Sequence, residues 1–383
     1  MTSKYRIFPE SIKKILRKTF FYKKRAIRKK NIIPYYEVGN VLKEAPPLHF
    51  DKEITNKPKV AIIKDDGLHI IKDYVNPKDS WLRYERFCKN NNISYEFYDI
   101  TKSNWIKEAE RFDIFICHTA SNPAFQEMIE SKIYILENIM HKFCFPSYHE
   151  VWQYENKNRA NYLYQCYNLP NIPTHVTNNK AEALEIINKI SYPFITKTTI
   201  GAGSTGVKKI KSKLEAKVKI NRIFGIKGLK TQYPYQRQKD YMYIQEFIDD
   251  ARFDLRIMLV GDMAFGYYRY PNSGDYRASG SGIVDKKAIP TEALKLAIDI
   301  RSKLKSRLMG VDLLYSKKHH KYFIIETSLF NQIDTAEQLV IDGNPGYYDI
   351  TDVNNITFKK GKFWIHELVI KYVVEEWFNK QHH

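Results

Sequence analysis

The stretch "PFITKTTIGAGSTGVKKI", residues 193–210, decides how the rest of the chain is read. Gly201, Gly203 and Gly206 spell G-x-G-x-x-G, the spacing that in a dinucleotide-binding unit closes a tight turn and brings backbone N–H groups to a pyrophosphate. That fingerprint also needs a helix opening directly behind it and an acid about 20 residues on for a ribose. Here Val207 to Ile210 continue in strand fashion, and Phe224 to Leu229 carry no acid. A Walker loop fails too, because Val207 and Lys208 stand where it places Lys and Ser/Thr. What remains is a strand bearing Lys197, a glycine turn with the hydroxyls of Ser204 and Thr205, and a second, basic strand. Such a hairpin is suited to folding over phosphates.

Around this hairpin the chain runs to 383 residues, long enough for two or three domains with a sizeable core. Apolar residues at 43% and aromatics at 14% place it among globular proteins and not disordered ones. Cys88, Cys117, Cys144 and Cys166 show no C-x-x-C and no histidine at metal spacing, so neither a zinc site nor a disulfide framework is expected, and a reducing cytoplasm fits best. No run of 18 apolar residues and no signal peptide is read, and a membrane span is not expected.

The net charge of +19 is concentrated at one end: residues 1–31 hold twelve Lys/Arg against the single acid Glu10. Ile12, Ile15, Leu16 and Phe20 share one helical face there, with bases around the rest. Three readings stand side by side. They are an interfacial helix on anionic lipid, where each base near the surface contributes roughly 1 kcal/mol, a nucleic-acid arm, and a solvated arm packed on the body.

Strands "VAIIKDD", "SYEFYDI" and "DIFICH" alternate with helix-spaced segments between residues 56 and 150, which implies a parallel α/β layer. Beyond it come a helix around Lys157 to Tyr167, a helix at "KAEALEIINKI", the glycine hairpin, and a polar, tyrosine-rich loop over 226–242. Strands "YMYIQEFI" and "FDLRIMLVGDMAFGYYRY" follow, then the helix "TEALKLAIDIRSKLKSRL", the strands "MGVDLLYS" and "KYFIIETS", and an amphipathic closing helix "HELVIKYVVEEWF". The expected organisation is a basic arm over 1–55, an α/β domain over 56–150, and two further subdomains over 151–243 and 244–383.

In this order the pieces resemble the ATP-grasp superfamily, and within it most closely the ribosomal-protein glutamate ligases. The resemblance runs from about Lys157 to Glu326 and more loosely back to residue 56. Lys157 lies twelve positions before Leu169 and Pro170, as the first nucleotide lysine does in the similar D-Ala-D-Ala ligases, and Lys197 matches the second. "QEFI", Gln245, Glu246, Phe247 and Ile248, looks like the hinge whose backbone pairs with adenine. Asp254 then matches the ribose ligand, and Arg269 and Arg277 match the family's two arginines. Asp312 in "GVDLLYS" and Glu326 in "FIIETS" fall where the family holds magnesium. The pattern departs at Ser328, where the family has Asn, so that Asn331 is a rival for that place. It departs again at "NPG", which is reached only at Asn344 to Gly346 and leaves the intervening loop to rebuild the acceptor side.

The resemblance implies an α/β (α+β) ATP-grasp fold with an N-terminal parallel α/β pre-ATP-grasp domain. It also implies an ATP-dependent carboxylate–amine ligase, cytoplasmic, working through an acyl phosphate with ATP and Mg²⁺ or Mn²⁺. Lys157 and Lys197 would neutralise phosphates, with Gly201, Gly203, Ser204, Thr205 and Gly206 closing over them. Arg269 and Arg277 would stabilise the transferring phosphoryl group, since a guanidinium forks onto oxyanions. The expected partners are a small-molecule or sugar carboxylate and an amine, with a cell-envelope polysaccharide precursor as one case and the inner membrane face as a docking surface for residues 1–31. A small-molecule phosphotransferase and a non-catalytic nucleic-acid module are the rival readings. Plainer roles compete residue by residue: Asp312 and Glu326 as salt-bridge partners of Arg269 or Arg277, Asp254 paired with Arg256 across a sheet, and Lys157 as a solvated helix lysine.

Overall fold

The computed structural model describes residues 32–52, 54–64, 74–117, 122–201, 206–233, 235–329 and 335–381. The basic arm over 1–31 therefore lies outside the described residues, as do Gly203, Ser204, Thr205 and Asn331. The chain forms two compact units. One comprises the described parts of Met1–His118, Gln332–Ala336 and Phe363–His383, and the other those of Thr119–Asn331 and Glu337–Lys362.

In the first unit the apolar run Lys59–Ile63 becomes a strand flanked by Ser94–Phe97 and Ile114–Cys117, both parallel to it. Val60 to Ile62 and Ile114 to Cys117 are completely buried, as continuous apolar runs in a parallel layer require. Helix Trp81–Asn90 packs on this sheet and against the closing helix Ile365–Gln381. That closing helix differs from the expected amphipathic one and from its placement in the last subdomain. Its first turns, Ile365 to Lys371, are buried all round, so Glu367 and Lys371 need partners: Glu367 accepts from Arg86 Nη1 at 2.8 Å, and Lys371 Nζ reaches Asp51 at 2.6 Å. Among the described residues no helix is long and apolar enough to cross a membrane.

Among the described residues of the second unit, two antiparallel sheets have more than two strands. The smaller has the strand order Thr174–Thr177, Met242–Glu246, Phe194–Thr196, Lys208–Ile210. The helices Lys180–Lys189 and Lys213–Ile223 cover its core of Phe194, Ile210, Met242 and Ile244. Both helices start on a side-chain cap, Asn179 and Ser212. The glycine stretch does form a hairpin: Phe194 pairs with Ile210 and Thr196 with Lys208. At its neck Gly206 has φ +84°, and a Cβ there would stand 2.0 Å from Thr198 Oγ1, so only glycine fits. The segment expected to be all loop, 226–242, contains a short antiparallel pair, Leu229–Lys230 with Arg237–Gln238.

The larger sheet has eight strands among the described residues, ordered from Lys321–Ser328 through Leu308–Ser316 and Asp254–Val260 to Met263–Tyr270 and beyond. Helix Thr291–Lys303 packs on its central strands. Gly266 lets two of them close up, since a Cβ there would meet the Arg256 carbonyl at 2.0 Å.

Candidate active site

A cleft of about 300 Å³ in the second unit is lined by both sheets. From the smaller sheet come Lys197 and the segment Gln245 to Ile248, and from the larger Asp254, Arg269, Asp312 and Glu326. Lys157 and Gly201 also line it, with Arg277 from a loop. The cleft thus brings together the predicted residues that the structure describes, apart from Gly206 at the hairpin neck and Ser328 at the end of its strand.

Lys157 is placed by its neighbour. Asn156 caps the helix Lys157–Cys166 by accepting from Arg159 N–H, and the Lys157 N–H donates to the Thr199 carbonyl at 3.0 Å. This starts the helix against the root of the glycine hairpin. The side chain is buried, donates to the Gly201 carbonyl at 2.8 Å and lies 3.1 Å from Glu326 Oε1. Burial alone would lower its pKa, but Glu326 and Glu155 outweigh that and hold it above the ordinary lysine value.

Lys197 is the contrasting case. It is only 6% exposed, and no hydrogen bond or ion pair among the described residues engages its ammonium, whose neighbour is the Tyr243 ring at 5.6 Å. Burial brings its pKa down to about 8; Lys157 adds to that fall, and Glu326 and Asp312 resist it. A buried cation without a carboxylate of its own is costly, and an entering anion would relieve that cost.

The carboxylates of the larger sheet sit in a lattice of arginines. Strand register sets Asp254 beside Arg269 and Arg256 beside Asp312, and Asp312 beside Glu326. Arg256 forks onto Asp312 through Nε and Nη2, each at 2.7 Å. Arg269 Nη2 donates to Asp312 Oδ2 at 2.7 Å, while its Nε donates to Asp254. Burial would raise the Asp312 carboxyl, but the two guanidiniums outweigh it and hold it well below the usual carboxylate range. Asp254 goes the other way: burial and then the Asp312 charge push it up to about 6, against Arg269.

Two plainer pairings are therefore redrawn. Arg256 partners Asp312 and not Asp254, although the alternation in "DLR" puts both side chains on one face. Asp312 does bridge to Arg269, as the salt-bridge reading expects, but Glu326 pairs with Lys157. A β-bulge after the Asp312/Glu326 pair skips Ile325, which brings Glu326 opposite Asp312.

Arg277 is set apart from Arg269. It is exposed at the cleft and folded back onto Asp275 at 2.8 Å, whereas Arg269 is buried and fully engaged. Gln245 turns its side chain into the sheet, donating to Thr174 Oγ1 at 2.8 Å. The hinge behind it bears Phe247, whose ring carries Lys209 Nζ 3.6 Å from its centre. Sequence reasoning missed Lys209, Tyr243 and Tyr241, whose hydroxyl accepts from the Thr199 N–H at 2.8 Å. Only the basic alternation of "VKKI" hinted at the first.

The donor set suits a triphosphate with Mg²⁺. Lys197 needs an anion, and Lys157 has one carboxylate partner. Asp312 and Glu326 lie side by side as two hard-oxygen donors, which is enough for an ion that takes its remaining ligands from phosphates and water. Among the described residues no cluster of three or more His, Cys, Asp or Glu competes as a metal cage.

The family described as the RimK-like ATP-grasp domain matches residues 155–342. The alpha-aminoadipate–LysW ligase LysX of Saccharolobus solfataricus is 25% identical over 211 residues, covering 54% of this chain and 67% of that protein. Its namesake from Sulfurisphaera tokodaii is 27% identical over 215 residues, covering 54% and 62%. The alignments thus span about two thirds of these relatives' lengths. The crystal structure of the D-cycloserine synthetase DcsG superposes with a TM-score of 0.50 at 13% identity, covering 71% of this chain and 91% of that one, a likeness of fold. Residues 155–342 therefore belong to the RimK-like ATP-grasp family, whose ligases form carbon–nitrogen bonds with ATP and Mg²⁺.

Proposed function

We propose that this chain joins a carboxylate to an amine in an ATP-dependent ligation that releases ADP and phosphate. In that reaction a carboxylate oxygen takes the γ-phosphoryl group, and the amine then displaces phosphate to leave the amide. The observation that carries the reading is Lys197, a buried residue whose ammonium has no hydrogen bond or ion pair among the described residues and which lines one cleft with Asp312 and Glu326.

In this reading Lys157 and Lys197 neutralise the phosphate chain, and Gly201 to Gly206 with Ser204 and Thr205 close over it. The backbone from Gln245 to Ile248 receives the adenine. Asp254 has one oxygen taken by Arg269 and the other for a ribose hydroxyl. Asp312 and Glu326 hold Mg²⁺, with Ser328 or Asn331 as a further oxygen ligand; the ion, when bound, offsets charge on the phosphates. Arg277 is free to swing from Asp275 onto developing negative charge, while Arg269 keeps Asp312 ionised and fixed.

The test is to measure ADP and phosphate release against a panel of acids and amines. Release of AMP and pyrophosphate, or turnover without any amine, overturns the proposal. The relatives' names point to amino acids as one substrate class. A narrower reading takes the acid to be a sugar acid of the cell envelope, with the enzyme on the cytoplasmic membrane face. Its support is the run of twelve bases over 1–31. Deleting those residues is expected to abolish binding to anionic liposomes while soluble turnover persists, and unchanged liposome binding rejects the membrane part.

A further inference from the structure

The positive charge of the chain sits in two stretches. One is the arm over 1–31. The other is residues 208–239, which hold eleven Lys/Arg against the single acid Glu215, while the rest of the chain carries 39 bases against 41 acids. The helix Lys213–Ile223 runs through this second stretch, and its Ala216, Ile220 and Ile223 are buried in the core of the smaller sheet. Glu215 is already engaged: its carboxylate pairs with Lys208 Nζ at 2.9 Å and accepts from the Lys211 N–H at 2.9 Å. Among the described residues no carboxylate pairs with Lys213, Lys217, Arg222, Lys227 or Lys230, and all five are exposed.

The outer face of this helix is apolar as well as basic. Leu214 and Val218 stand one turn apart, opposite the core residues, and are 73% and 43% exposed. Just past the helix end the Gly228 N–H donates to the Gly225 carbonyl at 3.2 Å, which makes a turn with Ile226 and Lys227 at its tip. Ile226 is 95% exposed, more than any other large apolar side chain among the described residues. Single exposed apolar residues are ordinary. Three aliphatic ones within the 13 residues 214–226, set among cations without counter-charges, form a surface that asks for apolar contact and negative charge together.

A bilayer with anionic headgroups offers both: negative charge at the surface, and an acyl boundary just beneath it for aliphatic side chains. A nucleic-acid strand supplies the charge but is held through its bases mainly by aromatic stacking, and Tyr235, the exposed aromatic of this stretch, is tied to Asn122 Oδ1 at 2.8 Å. We propose that the outer face of the helix Lys213–Ile223, with the turn at Ile226, docks on an anionic lipid surface. Ile226 enters the acyl boundary, and the flanking bases meet the headgroups. This face is distinct from the arm over 1–31, and its docking does not rest on the ligase reading.

The experiment places an environment-sensitive fluorophore at the turn of the full chain, through Ile226→Cys in a Cys166→Ser background; the other three cysteines are buried. The control carries the fluorophore on the exposed native Cys166 of the otherwise unaltered chain, because the arm could bring the protein to a membrane without placing residue 226 in it. Vesicles of phosphatidylglycerol and phosphatidylcholine in equal parts are expected to shift the emission at 226 to the blue and to leave it unchanged at 166. Pure phosphatidylcholine vesicles should bind about ten-fold more weakly or worse. Lys213→Gln and Lys217→Gln should each weaken binding read at 226 about five-fold, the effect of one base near an anionic surface. Leu214→Ser should weaken it about ten-fold, and melting and ADP affinity should hold in all three variants. No blue shift at 226, equal shifts at 226 and 166, or unaltered binding in all three variants overturns the proposal. So does a response at 226 to RNA or polyglutamate that vesicles do not reproduce.

Discussion

The two sheets that line the cleft handle charge in opposite ways. The larger one balances its charges internally, with Asp254, Arg269, Asp312 and Arg256 forming a continuous lattice of short contacts. The smaller one leaves Lys197 buried with no hydrogen bond or ion pair to its ammonium among the described residues, 5.6 Å from the Tyr243 ring. A balanced lattice is a rigid platform, whereas an unbalanced cation is a standing demand for a ligand. The difference teaches that stability and binding are divided between the sheets: residues of the lattice hold geometry, and the lone lysine waits for negative charge.

Substitutions can break that division, and the largest effect is expected at Lys197. Lys197→Met should reduce ATP turnover about 10³-fold, at the upper end for loss of a stabilising donor. The melting temperature should hold or rise, because a buried unpaired charge is removed. A fall in melting temperature would show that the lysine serves the fold.

Asp312→Asn strikes the other sheet. It leaves two guanidiniums without their shared carboxylate, so denaturant unfolding should lose about 3 kcal/mol along with activity. If activity is lost at full stability, the lattice is not what holds that strand pair.

Arg277→Ala separates the two arginines. Being exposed and paired with its near neighbour Asp275, it should leave stability unchanged and lower kcat about 10²-fold. Arg269→Ala should cost both activity and stability, and equal behaviour of the two variants would erase the distinction.

A last effect is one of pH. The folded pKa of Lys197, about 8, lies below the ordinary lysine value of 10.5, so between those values the unfolded chain binds the extra proton. Stability should therefore gain a component that grows from pH about 8 to about 10.5 and is absent in Lys197→Met. ADP affinity should weaken over the same window as the ammonium is lost. Chemical denaturation and calorimetry across that range would reveal a flat profile if the lysine is not perturbed.

Much of the architecture was legible in the chain because local signals agreed with each other. The glycine hairpin was readable from the failure of two phosphate motifs followed by strand-like residues, and the parallel layer from buried apolar runs such as "VAII" and "IFIC". The closing helix was misplaced for a physical reason. Its apolar period fits a surface helix, and packing against the helix Trp81–Asn90 and the strand Ile114–Cys117 buries its first turns, Glu367 and Lys371 included. The short pair inside 226–242 was hidden because two-residue strands leave no periodicity.

By itself the sequence determined which side chains carry charge, their alternation along each strand, and the turn chemistry that forces Gly206. Tertiary structure alone decided who pairs with whom. Arg256 meets Asp312 and Glu326 meets Lys157 because strand register and one bulge align residues 56 and 169 positions apart. Burial, which only the assembled sheets create, then turns Lys197 from an ordinary lysine into a cation in need of a partner.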